Sequence, residues 1–317
     1  MPTATAPQRR FTGHETFVCR YAWLPKVVRE LDPDRSGNPL LFKDEDDAMV
    51  RLGVGKNMVR SAKFWAECTG IIEEIEGGGH GPTEFGRLIL GHDGYDEFLQ
   101  RIETLWLLHW KLATNPKRPL FHWQQMLNHW QRAEFSESEV LPFLIRGLRT
   151  DETVKSERTF ADGFRVFVNS YLPTRGRKGE IAEDNLDCPL VELGLLQKVG
   201  ERLKDANTRE PVYSFVVDRK PGISSALFAY CIWDYWRNSP YDGQSSLGFR
   251  FVSSAEGSPG QIFKLPELAV RPLLDGLSSA TDGAFAFVES SSMQQVEMKS
   301  GLTEEDLLRF IYTPADS

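Results

Sequence analysis

The chain has 317 residues, 41% of them hydrophobic and 26% charged, and a formal net charge of −8. That length accommodates two or three compact units of ordinary size, and no apolar run approaches the ~20 residues of a membrane span. An acidic balance excludes a protein that coats nucleic acid with its whole surface, although it leaves room for a local basic face.

Residues 1–8 read as a disordered tail, and MPTATAPQRRF has two arginines with no apolar core behind them, which does not fit a secretory signal. Cys19, Cys68, Cys188 and Cys231 lie far apart without a CxxC pair. That spacing argues against a zinc site or disulfide framework and makes a reducing cytoplasm the simplest location. At 12–15, TGHE fits a capping box with Thr12 as cap and Glu15 bonding back, opening a helix that carries Phe17, Tyr21, Trp23 and Leu24. DPDRSGNP (32–39) reads as a loop, and DEDDAMVRLG (44–53) as a helix with acids in its first turn and a stop at Gly53.

LGVGKNMVRSAKFW (52–65) then supplies a tight turn and a second helix from about Lys56, which together make a helix-turn-helix. Ala48, Met49, Val59 and Ala62 are small or apolar where the helices must cross. Between Asp47 and Glu67 every charged residue is positive: Arg51, Lys56, Arg60 and Lys63. Lys56, Asn57, Arg60, Ser61 and Phe64 fall on or near one face, with cations suited to phosphate or guanine and asparagine to adenine. TGIIEEIEGGGHGPTEF follows as strand, glycine turn and helix, the order of a winged helix. The competing reading is a helical hairpin with a solvated basic face.

Residues 95–172 are helical and aromatic, with Phe98, Ile102, Leu105, Leu108 and Leu112 spaced as a core face. His122 and His129 are seven apart and His109 sits beside Trp110; all three read as packing rather than metal ligands. SERTFADGFRVFVNSYL (156–172) is a helix capped by Ser156 with Phe160, Phe164, Phe167 and Val168 inward and Asp162 off the stripe. PTRGRKGEIAED (173–184) is a connector whose Arg175, Arg177 and Lys178 either touch phosphates or are solvated. Glu183, Asp184 and Asp187 crowd three carboxylates together, either as a helix cap or as a divalent-ion loop. REPVYSFVVDRKPG reads as a strand, SALFAYCIWDYWRN as a helix, and GSPGQIFKLPE (257–267) as a turn leading into an extended piece. AFAFVES and QQVEMKS read as a hairpin, and TEEDLLRFIY as a capped terminal helix.

There is no P-loop, GxGxxG, GxSxG or HExxH motif. Carboxylates remain as the chemistry-bearing groups, and they suit Mg2+ or Mn2+.

FTGHETFVCRYAWLPK (11–26), LGVGKNMVRSAKFWAECTGII (52–72), EDNLDCPLVELGLL (183–196) and SPGQIFKLPE (258–267) occur in this order. With these segments the chain resembles a bacterial domain-of-unknown-function family linked to DNA phosphorothioation, in particular the DNA-nicking B components of single-strand phosphorothioation (Ssp) systems. Cys19 stands where the resemblance implies a bulkier or less reactive residue, which argues against a catalytic thiol. The resemblance implies a cytoplasmic protein acting on double-stranded DNA. Its implied partners are a cysteine desulfurase, an ATPase and an ATP pyrophosphatase-type sulfur transferase, which exchange a phosphate oxygen for sulfur in antiviral defence.

The expected fold is mainly α with small β elements (α+β). It divides into a winged helix-turn-helix at 1–92, a helical region at 93–173 and a mixed α/β domain at 174–317, with a homodimer left open. The expected function is metal-dependent nicking of DNA at specific sites. Asp162, Glu183, Asp184 and Asp187 are the catalytic candidates, and the last three are also the ion ligands. Lys264 or Arg158 would serve as a transition-state cation, and Arg51, Lys56, Asn57, Arg60, Ser61 and Lys63 would contact DNA. The alternative is a non-catalytic adaptor that binds DNA and recruits the sulfur-transfer proteins.

Overall fold

Helices cover about 48% of the chain and the strands are short, so the fold is mixed α+β. The computed structural model describes residues 8–153, 155–173, 188–290 and 293–313. Helix α1 (Trp23–Leu31) buries Trp23, Leu24, Val27, Val28 and Leu31 along one stripe. It begins later than TGHE suggests. Residues 12–15 form no helix; Thr16 N donates to His14 Nδ1 at 3.0 Å, and Glu15 and Thr16 both have positive φ. The local hydrogen bond from Thr16 to the His14 ring takes the place of a capping box.

Helix α2 (Glu45–Leu52) follows its acids: the Asp44 carboxylate accepts from the amides of Asp46 and Asp47. Gly53 ends it at φ 67, a left-handed conformation that favours glycine, and its N–H bonds to Met49 O at 2.9 Å. Helix α3 (Lys56–Cys68) comes next, and Ala48, Val59 and Ala62 are buried where α2 and α3 meet. Strands β1 (Ile72–Ile75) and β2 (Gly79–Pro82) form an antiparallel hairpin with Ile72 opposite Pro82. Thr83 caps α4 (Glu84–Leu90) by accepting from Gly86 N at 2.9 Å.

Helix α5 (Ile102–Thr114) buries Leu105, Leu108 and Leu112 as spaced, but Phe98 is 66% exposed. The Asp96 carboxylate accepts from the amides of Gln100 and Arg101, which turns the chain so that Leu99 takes the buried position and Phe98 points out. Helix α6 (Phe121–Gln124) runs directly into a π-helical turn, Gln125–His129. Strand β3 (Glu134–Phe135) and helix α7 (Glu137–Arg146) precede α8 (Glu157–Tyr171), whose cap Ser156 accepts from Thr159 N. Phe160, Phe164, Phe167 and Val168 of α8 are buried.

A 3-10 turn, Pro189–Leu193, leads into β4 (Leu196–Leu203) and β5 (Arg209–Phe215), which form an antiparallel sheet in the order β3-β5-β4. Helix α9 (Ser225–Arg237) is buried along most of its length. After β6 (Ser246–Gly248) and α10 (Phe249–Ser253), the GSPGQIFKLPE segment departs from the expected turn and extended piece. Ser258 caps a short helix, α11 (Pro259–Ile262), with proline at its favoured first position, and α12 (Glu267–Asp275) starts after Pro266. A short helix, α13 (Leu277–Ala280), precedes the closing hairpin β7 (Phe285–Glu289) and β8 (Gln294–Met298), which pairs with β6 in the order β6-β8-β7. Thr303 and Asp306 complete a capping box on α14 (Glu304–Tyr312).

Buried side chains from Phe11 to Tyr312 form one connected cluster. Among the described residues, no helix is long and apolar enough to cross a membrane.

Candidate nucleic-acid interface

Gly55 is extended (φ −71, ψ 163), so α3 starts abruptly and leaves Lys56, Asn57 and Arg60 exposed. Lys63 is half-buried one turn on. Ser61 does not belong to this face. It is fully buried and its hydroxyl donates to His14 O at 3.0 Å. Phe64 is buried too, because the segment around Gly13 folds across it; a Cβ on Gly13 would lie 2.6 Å from the Phe64 ring. The helical period places both residues near the exposed face, but the N-terminal segment covers that side of α3.

The positive run of the sequence is a charge-paired surface in three dimensions. The Glu45 carboxylate receives Lys56 Nζ at 2.7 Å and Arg60 Nε at 2.6 Å. Hydrogen bonds from Arg60 and Lys56 hold its carboxyl down to about 2. Arg51 pairs with Asp47 at 2.7 Å and Glu30 at 3.5 Å. At the far end of α3, Glu67 is almost fully buried and contacts Arg10 at 2.7 Å, His80 at 3.1 Å and Lys63 at 3.9 Å. Burial alone would raise the Glu67 carboxyl, but the His80 hydrogen bond and the charges of Arg10, Arg118 and Lys63 bring it down to about 2.

Beside α3 lies an open groove of about 440 Å³, lined by Arg10, Thr12, Arg60, Lys63, Phe64 and Arg118 among others. Arg10 is held there by its backbone: its N–H donates to Pro119 O at 2.8 Å and its carbonyl accepts from Phe121 N at 3.0 Å. In the adjoining 115–118 loop Lys117 pairs with Glu73 at 2.7 Å, and Arg118 itself pairs with Glu74 at 3.5 Å. Sequence reasoning missed Arg10, Lys117 and Arg118. Their basic doublets, Arg9-Arg10 and Lys117-Arg118, were the available signal, but only the tertiary fold brings them beside α3.

The acidic candidates lie elsewhere. Asp162 is half-buried on α8, with Arg158 at 3.5 Å and Arg165 at 3.3 Å. It also faces His14, whose pKa burial lowers to about 4 against the opposing pull of Asp162. Glu183, Asp184 and Asp187, and with them Arg175, Arg177 and Lys178, lie outside the described residues. Among the described residues, no group of three or more His, Cys, Asp or Glu side chains is placed to hold a metal ion. Two guanidinium groups already supply counter-charge at Asp162. Lys264 Nζ donates to Leu127 O at 2.6 Å, and burial pushes its pKa down to about 8.

The remaining polar candidates are structural. His109 bonds to the Tyr171 hydroxyl at 2.7 Å and to Ile262 O at 3.2 Å, and burial lowers its pKa to about 3. His122 is buried and likewise lowered to about 3, whereas His129 is exposed and 3.3 Å from Glu256, so the two do not form a pair. All four cysteines are buried. Burial pushes the Cys19 thiol well up and the Cys68 and Cys188 thiols to about 12, which disfavours the nucleophilic thiolate.

The family model described as "Protein of unknown function (DUF4007)" matches residues 11–312. Two solved structures are similar over 97% of this chain and 89% of theirs: "Magnesium ion-bound SspB crystal structure", at 27% identity and TM-score 0.82, and "SspB crystal structure", at 25% identity and TM-score 0.81. No curated protein sequence matches. The chain belongs to the DUF4007 family.

Proposed function

From membership of the DUF4007 family and likeness to SspB, we propose that this protein binds duplex DNA and nicks it at specific sites within a bacterial phosphorothioation system. Helices α2 and α3 with the β1–β2 hairpin act as a winged helix-turn-helix, with α3 as the reading helix. Lys56 and Arg60 meet phosphates or guanine, Asn57 reads a base edge, and Lys63 and Arg51 add backbone contacts. The observation that supports this reading is that Arg60 and Lys63 of α3 border a groove also lined by cations from two other parts of the chain, Arg10 and Arg118. A helical hairpin with a merely solvated basic face has no need of these further cations. Cysteine desulfurase, ATPase and sulfur-transferase partners follow from the family resemblance.

For strand cleavage, Glu183, Asp184 and Asp187 are the proposed carboxylates, with Asp162 as a further candidate. Mg2+ or Mn2+ is the proposed cofactor, and the magnesium-bound SspB supports that choice. The test is conversion of supercoiled plasmid to open circles by the full chain with manganese or magnesium and with EDTA. Loss of nicking in Glu183→Ala and Asp184→Ala with DNA binding retained supports this assignment; wild-type rates in both variants place the chemistry elsewhere. The adaptor reading draws on the two arginines that occupy Asp162. It prevails if the wild-type chain binds DNA and never nicks it with either metal.

A further inference from the structure

In the sheet β3-β5-β4, strand β4 is an edge of eight residues, and residues 197–201 are all exposed. Among the described residues, β4 pairs only with β5, and no other backbone hydrogen bond reaches its outer side. An edge of this length, with free N–H and C=O groups and the exposed apolar side chains Val199 and Leu203, is a template for another strand. Edges are commonly blunted by a bulge and by charge, and β4 has both: a bulge between Lys198 and Gly200, and the charges of Lys198, Glu201 and Arg202. Here those features match a second copy of themselves.

The ladder fixes which backbone groups face outward. At one end of β4, Leu195 O accepts from Val216 N at 2.9 Å; at the other, Lys204 N donates to Thr208 O at 2.9 Å. Antiparallel residues alternate between bonded and non-bonded pairs, so counting inwards from each end turns Leu196, Lys198, Glu201 and Leu203 away from β5. Outward residues of a regular strand are two apart, but the bulge sets Lys198 and Glu201 three apart. A two-fold axis through the bulge therefore opposes outward residues to outward residues. Lys198 comes opposite Glu201 of the second copy, and Leu196 opposite its Leu203. A shift by one residue instead opposes Lys198 to Arg202, a like-charge pair, and mismatches the hydrogen-bonding sides.

Gly200 fits the same axis. Its φ is not positive, and a Cβ there would meet nothing within 4 Å, so its own chain does not require a glycine. The axis brings Val199 of the second copy opposite it, where a missing side chain leaves room for the approaching strand. Lys198 and Glu201 meet within the chain at 2.7 Å with side chains 50% and 47% exposed. In water such a pair exchanges at little cost for its two equivalents across the axis.

We propose that β4 is the interface of a homodimer, in which two copies pair antiparallel along this edge and join their three-stranded sheets into one. The matching of charge, bulge and outward groups is what selects a second copy over an unrelated strand. The inference does not depend on DNA binding.

The test is sedimentation of the full chain over a concentration series. Wild type forms a dimer that dissociates on dilution. Lys198→Glu and Glu201→Lys each set like charges opposite one another at two places and weaken the dimer about tenfold or more. The double variant Lys198→Glu/Glu201→Lys restores opposite signs and returns the dissociation constant to within about threefold of wild type. Both positions are exposed, and unchanged thermal melts show that the variants fold. Hydrogen exchange at the amides of Lys198 and Glu201 slows as the wild-type concentration rises. A chain that stays monomeric at about 0.1 mM overturns the proposal and leaves β4 to an extended segment of another protein. A dimer indifferent to both single substitutions overturns β4 as the interface, and a double variant that fails to re-form it overturns this register.

Discussion

Two charge triads in this molecule are mirror images. In the interior, Lys111 faces Asp234 and Glu304 with all three side chains at most 17% exposed. On the surface, Glu45 faces Lys56 and Arg60, at 32%, 55% and 47% exposure. The distances are similar, at 3.1 and 3.3 Å inside and 2.7 and 2.6 Å outside. The surroundings differ. Asp234 also accepts from Trp110 Nε1 at 2.7 Å and Glu304 from the Tyr230 hydroxyl, so the inner charges are enclosed by further donors. The outer triad is in water, where an ion pair contributes little and another anion can take its place. Geometry alone therefore does not separate a structural ion cluster from an exchangeable one; burial and the remaining hydrogen bonds do.

The largest effect expected on the buried side is that of pH. His14, His109 and His122 are held neutral by burial, with pKa values lowered to about 4, 3 and 3 from an ordinary 6.5. Below pH 6.5 the unfolded chain takes up protons that the folded chain refuses. Each histidine's contribution is thus complete above 6.5 and is lost as pH falls towards its folded value, by up to roughly 1.4 kcal/mol per pH unit. The urea midpoint should fall steeply from pH 6.5 to 4. A flat profile there would show that these rings are hydrated.

Lys111→Met comes next. It leaves Asp234 and Glu304 without their shared cation and should cost about 3–5 kcal/mol in urea unfolding. A cost below 1 kcal/mol would mean that water reaches the inner triad and that the contrast with the outer one is false.

On the exposed side, Arg60→Ala should weaken duplex binding by about 1–3 kcal/mol if Arg60 reads a base, with no loss of fold stability. With four to six phosphate contacts, log affinity should fall against log salt with a slope near −0.9 per contact. Normal binding by a folded Lys56→Ala/Arg60→Ala protein removes α3 from the interface. The smallest effect is the most specific. Glu45→Gln frees both cations from their internal anion and should tighten duplex binding by roughly two- to fivefold. Weaker binding would mean that Glu45 orients Lys56 and Arg60 rather than competing with phosphate.

Local signals explain what could be read in advance. The acids of 44–47 and the glycine at 53 bound α2, and Thr303 and Asp306 start the last helix, because capping and left-handed turns depend on residues a few positions apart. TGHE misled because the His14 ring offered Thr16 N a nearer partner, and SPGQ because Ser258 capped a helix where a turn was expected. Glu45 lies 15 residues before Arg60, and Arg118 44 residues after Glu74, so neither pairing leaves a trace in spacing. The cationic helix was legible, whereas its neutralisation and the groove beside it were not. Asp162 looked free off its stripe, yet Arg158 and Arg165, on either side of it on the same helix, occupy it. The other three acids lie beyond what the structure describes.

The π-helical turn at Gln125–His129 amounts to one residue more than an α-helix would hold there. It also ends the helix, and two carbonyls of this last turn are satisfied from elsewhere: Leu127 O accepts from Lys264 Nζ and Asn128 O from Gln261 Nε2, both at 2.6 Å. This helix end thus works as a fastener for a segment more than 130 positions further along the chain. Excising one residue within the turn would rotate everything after it by roughly 100° about the helix axis. Trp130 would swing out of its slot and both carbonyls would lose their donors. A shortened chain of this kind would keep its helical content and lose the attachment of residues 257–264, a defect that proteolysis would find before spectroscopy did.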